Sequence, residues 1–274
     1  AETLEKELGE DWEKEMMALN EQAPTILRVN TLKTTAKELI SDLKVEGVDS
    51  FQIKNYPDAV QLDVKKNVFL TTAFKDGLFE VQDASSQKIG QLLDVQEGMR
   101  VVDVCAGAGG KTLHLAALMK NKGQIIALDI YEWKLAELKR RAKRAGAHNI
   151  ETRVIEDNKV IKRLHEKADR LLIDSPCSGL GVLKRNPDSK WKIDQEFIDR
   201  IKKEQEKILQ DYAKILKKGG KMIYATCSIL PSENNEQVEI FLKNNEGYSL
   251  IKEEKVMPSE GFDGFYMALI ERKA

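Results

Sequence analysis

From Met99 onward, short apolar runs alternate with long stretches in which apolar residues recur at helical spacing. RVVDVC, QIIALD, TRVI, RLLID and KMIYATC are brief and rich in β-branched residues. TLHLAALMK, YEWKLAELKRRAKRAG, QEFIDRIKKEQEKILQDYAKILKKGG and SENNEQVEIFLKN follow most of them with a period near 3.6. Such alternation predicts an α/β fold with a doubly wound, Rossmann-like and largely parallel sheet, closed by a last strand in FYMALIERK. Residues 1–94 have a different texture. A helical start is followed by the alternating LRVNTLK, a helical TTAKELISDLKVEG ending on Gly47, and strand-like runs around Val60 to Val64 and Leu78 to Val81. They predict a small α+β subdomain over 1–94, with the Rossmann-like domain over 95–274. In LRVNTLK, Arg28 and Asn30 fall on one strand face and Leu27 and Val29 on the other. A half-buried strand explains that plainly; a strand that contacts RNA is the sharper reading.

Length and composition narrow the class. The chain has 274 residues, 42% hydrophobic and 32% charged, enough to bury a sizeable core and too many apolar residues for a disordered segment. No apolar run approaches the ~20 residues of a membrane-spanning helix. Lys+Arg 44 against Asp+Glu 45 leaves no global basic field, so any site for a polyanion is local. Three cysteines without a CxxC pair argue against a disulfide framework or a zinc ribbon, and fit a reducing cytoplasm. The acidic, amphipathic start is not a secretory signal, and a chain beginning at Ala1 suggests a piece trimmed from something longer. His114, His148 and His165 share no metal-ligand spacing, so no metal is assigned.

The first apolar strand runs into DVCAGAGGKTLHLA, a strand-to-helix turn carrying Gly107, Gly109 and Gly110. A Walker A loop requires glycine where Cys105 stands, and a dinucleotide fingerprint requires glycine where Thr112 stands. What remains is a tight turn, Cys105 to Lys111 with Ala106 and Ala108 between the glycines, that lets backbone approach a ligand closely. Asp129 ends the next strand about 20 residues on, the position from which a carboxylate accepts hydrogen bonds from a ribose. Asp157 follows the third strand and Asp174 ends the fourth. Carboxyl ends of strands in an open α/β sheet converge on one crevice, so this set suits S-adenosylmethionine, which carries a ribose and no phosphate. Singly, each acid reads as a cap or turn residue.

Two cysteines follow apolar strands in the same way, Cys177 in IDSPCSGLG and Cys227 in YATCSILPSE. Cys105 reads as a small buried apolar residue. A thiol with pKa ~8.5 is only a few per cent thiolate at pH 7. Lys111, or the helix start near Ser232, offers a way to lower that value. Position alone does not say which of the two thiols reacts.

These motifs carry a family resemblance. DVCAGAGGKTLHLA, ALD, IDSPCSGLGVLKRNPDSKW, YATCSILPSENNEQV and GFDGFYMALIERK, with LRVNTLK and FEVQDASSQ upstream, resemble the Sun/Fmu (RsmB/Nop) family of RNA cytosine-5 methyltransferases over nearly the whole chain. The paired Asp-x-Pro-Cys and Thr-Cys-Ser are the specific part; the glycine turn alone is not. Ala108 stands where the family usually has proline, and there is no room for the additional N-terminal helical RNA-binding domain of many relatives. The resemblance implies an S-adenosylmethionine-dependent enzyme in which Cys227 adds to carbon 6 of a flipped cytosine and Cys177 assists release. Asp174 then holds the cytosine edge and Lys111 makes a second contact. It also implies that Cys105, Ala106, Gly107, Ala108, Gly109, Gly110, Lys111, Asp129, Asp157 and Asp174 surround the cofactor. The subdomain over 1–94 becomes an RNA-binding one, and the partner an RNA, ribosomal before transfer RNA, met by a monomer with no membrane. A silent RNA-binding assembly factor and a DNA cytosine methyltransferase, which would not need Cys227, are the rivals. KRNPDSKWK reads either as an RNA-holding loop or as a solvated loop with Trp191 in the core. KLAELKRRAKR reads as the exposed face of an amphipathic helix, with RNA contact as the other reading.

Overall fold

The computed structural model describes residues 2–274, with side chains from Leu4; Ala1, where the predicted helical start begins, lies outside the described residues. Two helices open the chain, α1 (Glu2–Leu8) and α2 (Trp12–Leu19). They belong to a compact unit formed by Ala1–Ala23 and Lys159–Ala274, while Pro24–Asn158 form a second.

The unit Pro24–Asn158 begins with strand β1 (Ile26–Val29), helix α3 (Ala36–Val45), strands β2 (Ser50–Gln52) and β3 (Ala59–Leu62), helix α4 (Thr72–Lys75) and strand β4 (Phe79–Val81). The strands form an antiparallel sheet in the order β2-β3-β1-β4. Helix α3 starts where the sequence marks it: Thr35 and Glu38 form a reciprocal capping box, and Gly47 follows its end at φ +71°. Leu39 and Leu43 of α3 pack on Leu27, Val29, Val60 and Phe79. The half-buried reading of LRVNTLK is corrected. All four residues of β1 are buried, and so is Asn30. As an inner strand β1 loses solvent on both faces, and its polar residues find internal acceptors. Asn30 Nδ2 donates to the Gly77 carbonyl at 2.7 Å and the Ala145 carbonyl at 2.8 Å.

The same unit continues with helix α5 (Ala84–Leu92), strand β5 (Arg100–Asp103), helix α6 (Gly110–Leu118), strand β6 (Gln124–Asp129), helix α7 (Glu132–Ala145) and strand β7 (Ile150–Val154). Strands β5, β6 and β7 are neighbours in that order and parallel. Helix α8 (Asn158–Lys162) leads into the other unit.

There, strand β8 (Ala168–Asp174), helix α9 (Gln195–Tyr212), strand β9 (Leu216–Thr226), helix α10 (Asn235–Asn244), strand β10 (Tyr248–Val256) and strand β11 (Phe265–Arg272) complete the chain. Strands β8 and β9 are parallel; β11 runs antiparallel to β9, and β10 antiparallel to β11. The sheet is largely parallel, as expected, and β10 and β11 make it mixed. Strand β10 escapes hydrophobic patterning because it is an edge strand in which YSLIKEEKV is mostly solvated. LKKGG, assigned to a helix by periodicity, belongs to β9, and Gly219 at φ +73° breaks the helical path.

Helices α1 and α2 are tied down by two carboxylates. Glu7 accepts from Ser232 N at 3.0 Å and Ser232 Oγ at 2.8 Å, and Glu15 accepts from Ser259 N at 2.9 Å and Ser259 Oγ at 2.6 Å. Leu4 and Leu19 join Leu180, Leu183, Ile198, Ile229 and Leu230 in a common core. Among the described residues no helix is long and apolar enough to cross a membrane.

Candidate active site

The glycine-rich turn lies between β5 and α6, and its shape comes from its neighbours. Asp129, the last residue of β6, accepts from Gly107 N at 2.8 Å through one oxygen and from Tyr131 N at 2.9 Å through the other. A carboxylate offers about four lone-pair positions, so two remain. Two arginines hold carbonyls on the turn. Arg141 Nη1 donates to Ala108 O at 2.8 Å, and Arg28 donates to Gly110 O and to Gln82. Burial pulls the Arg28 guanidinium down to about 10, although Glu80 acts in the opposite direction. Glu80 in turn binds Arg141 at 2.9 Å and Arg144 at 2.5 Å. The exposed-face reading of KLAELKRRAKR thus fails at Arg141 and Arg144, which turn inward to a buried carboxylate. Neither arginine, nor Arg28, was marked by the sequence as support for the turn; an arginine within a strand pattern is the only signal.

The three glycines serve different ends. At Gly109, φ is +86° and a Cβ would lie 2.5 Å from Leu138 Cγ, so this glycine lets α7 pack against the turn. At Gly107, φ is +54°, and a Cβ there or at Gly110 would meet nothing within 4 Å. Those two positions keep backbone open toward space, and α6 directs its first-turn N–H groups to the same end. Open backbone beside a carboxylate with lone pairs to spare meets what a ribose-bearing ligand requires. Gly109→Ala is expected to cost about 2–3 kcal/mol, from a left-handed backbone plus overpacking. Gly107→Ala should cost only about 1–2 kcal/mol. Urea unfolding of both variants measures the difference, and equal costs would contradict the packing role of Gly109.

Lys111 is half-buried in the first turn of α6, Asp157 is exposed just before α8, and Asp174 is half-buried at the end of β8. Cys105 is half-buried, not the fully buried apolar residue expected.

The two other cysteines meet. Cys177 follows β8 by three residues, Cys227 directly follows β9, and their sulfurs lie 3.2 Å apart as free thiols. Sulfur-to-sulfur hydrogen bonding, then burial, then the nearby charges of Cys227 and Glu233 hold the Cys177 thiol well above its ordinary range. Cys177 therefore keeps its proton at neutral pH. The expected help from the helix start near Ser232 is absent: that N–H is occupied by Glu7.

Beneath the thiols lies a group that the sequence reading missed. Glu233 is fully buried and accepts from Ser178 N at 2.8 Å, Ser178 Oγ at 2.5 Å, Gln205 Nε2 at 3.0 Å and Ser228 Oγ. Ser178 follows Cys177 and Ser228 follows Cys227, so one carboxylate ties both thiol-bearing loops. Further ties run from Gly181 N to Cys227 O at 2.9 Å and from Asn234 Nδ2 to Ser228 O at 3.0 Å. In the basic loop, Lys184 donates to Pro258 O at 3.0 Å and Arg185 to Asp263 at 2.6 Å. Trp191 is 81% exposed, which removes the core reading for it.

Comparison with known proteins settles the kinship. The family described as 16S rRNA methyltransferase RsmB/F matches residues 90–270, and the RsmF/B-like ferredoxin-like domain matches residues 1–69. The chain belongs to the RsmB/F family. Its members are S-adenosylmethionine-dependent RNA cytosine methyltransferases, and its fold is α/β with a seven-stranded mixed sheet plus a ferredoxin-like α+β domain. Ribosomal RNA small subunit methyltransferase B of Proteus mirabilis is 35% identical over 96% of the chain and 62% of its own length. The crystal structure of PH0851 superposes with a TM-score of 0.94 at 31% identity, over 98% of the chain and 64% of its own. NSun6 from Pyrococcus horikoshii, solved with SFG, shares the fold with a TM-score of 0.91 at 22% identity, over 100% of the chain and 97% of its own. The chain thus spans about three-fifths of the RsmB/F relatives it matches.

Proposed function

We propose that this chain transfers a methyl group from S-adenosylmethionine to carbon 5 of a cytosine in ribosomal RNA, with residues 1–94 contacting RNA and 95–274 catalysing. The observation that carries this reading is the pair of free thiols 3.2 Å apart, each at the end of a parallel strand. Carbon 5 of cytosine is a weak nucleophile, and addition of a thiolate to carbon 6 makes it enamine-like. Cys227 is the thiolate and Cys177, which carries the proton, is its partner. Once carbon 5 is methylated, its proton leaves to a base, the carbon–sulfur bond breaks, and the Cys227 thiolate is regenerated with the help of Cys177. Asp174 holds the cytosine edge and Lys111 adds a contact to base or acid. Bound S-adenosylmethionine supplies an electrophilic methyl on sulfur. Asp129, Asp157 and the turn from Cys105 to Gly110 hold its nucleoside.

Ribosomal RNA is favoured by the name of the Proteus mirabilis relative at 35% identity. The deciding experiment is incubation with donor and bulk RNA followed by bisulfite sequencing. One or a few methylated cytosines in small-subunit ribosomal RNA are expected. Methylation confined to transfer RNA would replace the substrate, and no methylation of any RNA would leave an assembly factor.

A further inference from the structure

Directly beyond Asp129 the chain exposes three large apolar side chains in four residues: Ile130 (56%), Tyr131 (48%) and Trp133 (68%). Water contact at large aromatic rings is costly, and contiguous exposure of this kind marks contact sites. The patch is held in place. The Asp129 carboxylate that grips Gly107 N also grips Tyr131 N, so the backbone that carries Tyr131 is tied to the glycine turn within one unit. The Tyr131 and Trp133 rings lie 6.4 Å apart and tilted by 42°. Lys134 Nζ sits 4.5 Å from the Tyr131 centroid and 5.8 Å from that of Trp133.

Charge points to the occupant. Helix α7, which begins here, carries Lys134, Lys139, Arg140, Arg141, Lys143 and Arg144 against Glu132 and Glu137, in a chain whose net charge is −1. Arg141 and Arg144 are spent on Glu80 and Arg140 pairs with Glu137 at 2.7 Å, while Lys139 and Lys143 remain exposed. An aromatic pair at the head of a locally basic helix is the pattern that stacks a base and follows its phosphates.

We propose that Tyr131, Trp133 and Lys134 form a stacking platform for an unpaired RNA base, with the exposed cations of α7 tracking the adjoining backbone. The proposal rests on the RNA-substrate reading and adds where the strand lies. A labelled single-stranded RNA of mixed sequence, titrated at several salt concentrations, tests it alongside calorimetric titration with S-adenosylmethionine. Trp133→Ala should weaken RNA binding about 5- to 150-fold with the salt slope unchanged, the range for one stacked base. Lys134→Ala should lower the slope by about 0.7. Cofactor affinity should stay within about twofold, and melting temperature should be unchanged because Trp133 is largely solvated. Wild-type RNA affinity in Trp133→Ala overturns the platform and leaves the patch to a protein partner. Loss of cofactor affinity with RNA binding intact overturns it in favour of a cofactor wall. A wild-type protein that binds no RNA overturns the substrate reading along with the platform.

Discussion

Replacing Cys227 by serine is expected to reduce methyl transfer by about 10⁴-fold or more, the scale seen when a covalent catalyst loses its nucleophile. A hydroxyl so placed is hardly ionised near neutral pH, whereas a thiol is already a few per cent thiolate there. The neighbour at 3.2 Å adds to this, because a Cys177 thiol that keeps its proton can donate it toward a Cys227 thiolate. The two cysteines should fail differently. Cys177→Ala leaves the attacking sulfur intact and removes the group beside it, so an RNA–protein adduct should accumulate and survive a denaturing gel. Labelled RNA with cofactor present reads both results. Turnover at the wild-type rate in Cys227→Ser would refute the assignment of the nucleophile. An adduct in Cys227→Ser together with none in Cys177→Ala would exchange the roles of the two sulfurs.

Such a pair was legible in the sequence as two positions and illegible as a contact. Cys177 and Cys227 each follow an apolar strand, which places them at comparable ends. That they touch depends on loops joined through Ser178, Ser228 and Glu233, and no local pattern encodes such a meeting. Patterning served where burial matches it, with one face buried in a helix and both faces buried along a continuous apolar strand. Helix α3, with its capping box at Thr35 and Glu38, and strands β5, β6 and β8 lie close to where the apolar pattern puts them. It failed where burial departs from the pattern in either direction. Strand β10 is too solvated to register, and β1 is buried on both faces although Arg28 gives it an alternating look. Asp129 shows the limit for single residues. Its spacing from the glycine turn marked it as a ligand acceptor, and the structure gives it the additional task of clasping Gly107 and Tyr131.

Glu233→Ala is expected to destabilise the protein by about 2–6 kcal/mol, because the buried donors facing this carboxylate cannot all be rehoused. Ser178 Oγ and Ser228 Oγ are 3.3 Å apart and can turn toward each other. Ser178 N and the one Gln205 Nε2–H that is not bonded to Pro176 O (2.9 Å) have no such freedom once the acceptor is gone, and each stranded donor costs about 1–3 kcal/mol. For a chain of this size the change corresponds to a fall in melting temperature of roughly 5–20 °C. Glu233→Gln should lie between the two, since one oxygen still accepts while the new amide faces donors. The catalytic consequence separates a packing role from a positioning one. The carboxylate ties the residue after each reactive cysteine, so its loss frees Cys177 and Cys227 to drift from their 3.2 Å contact. Methyl transfer should then fall even at a temperature where urea titration shows the variant fully folded. The Cys177→Ala adduct should also form more slowly when Glu233→Gln is added. A Glu233→Ala protein within 0.5 kcal/mol of wild type by urea unfolding, about the spread of ordinary surface substitutions, would show that the buried carboxylate carries no packing load, and wild-type methyl transfer in the folded variant would remove its positioning role.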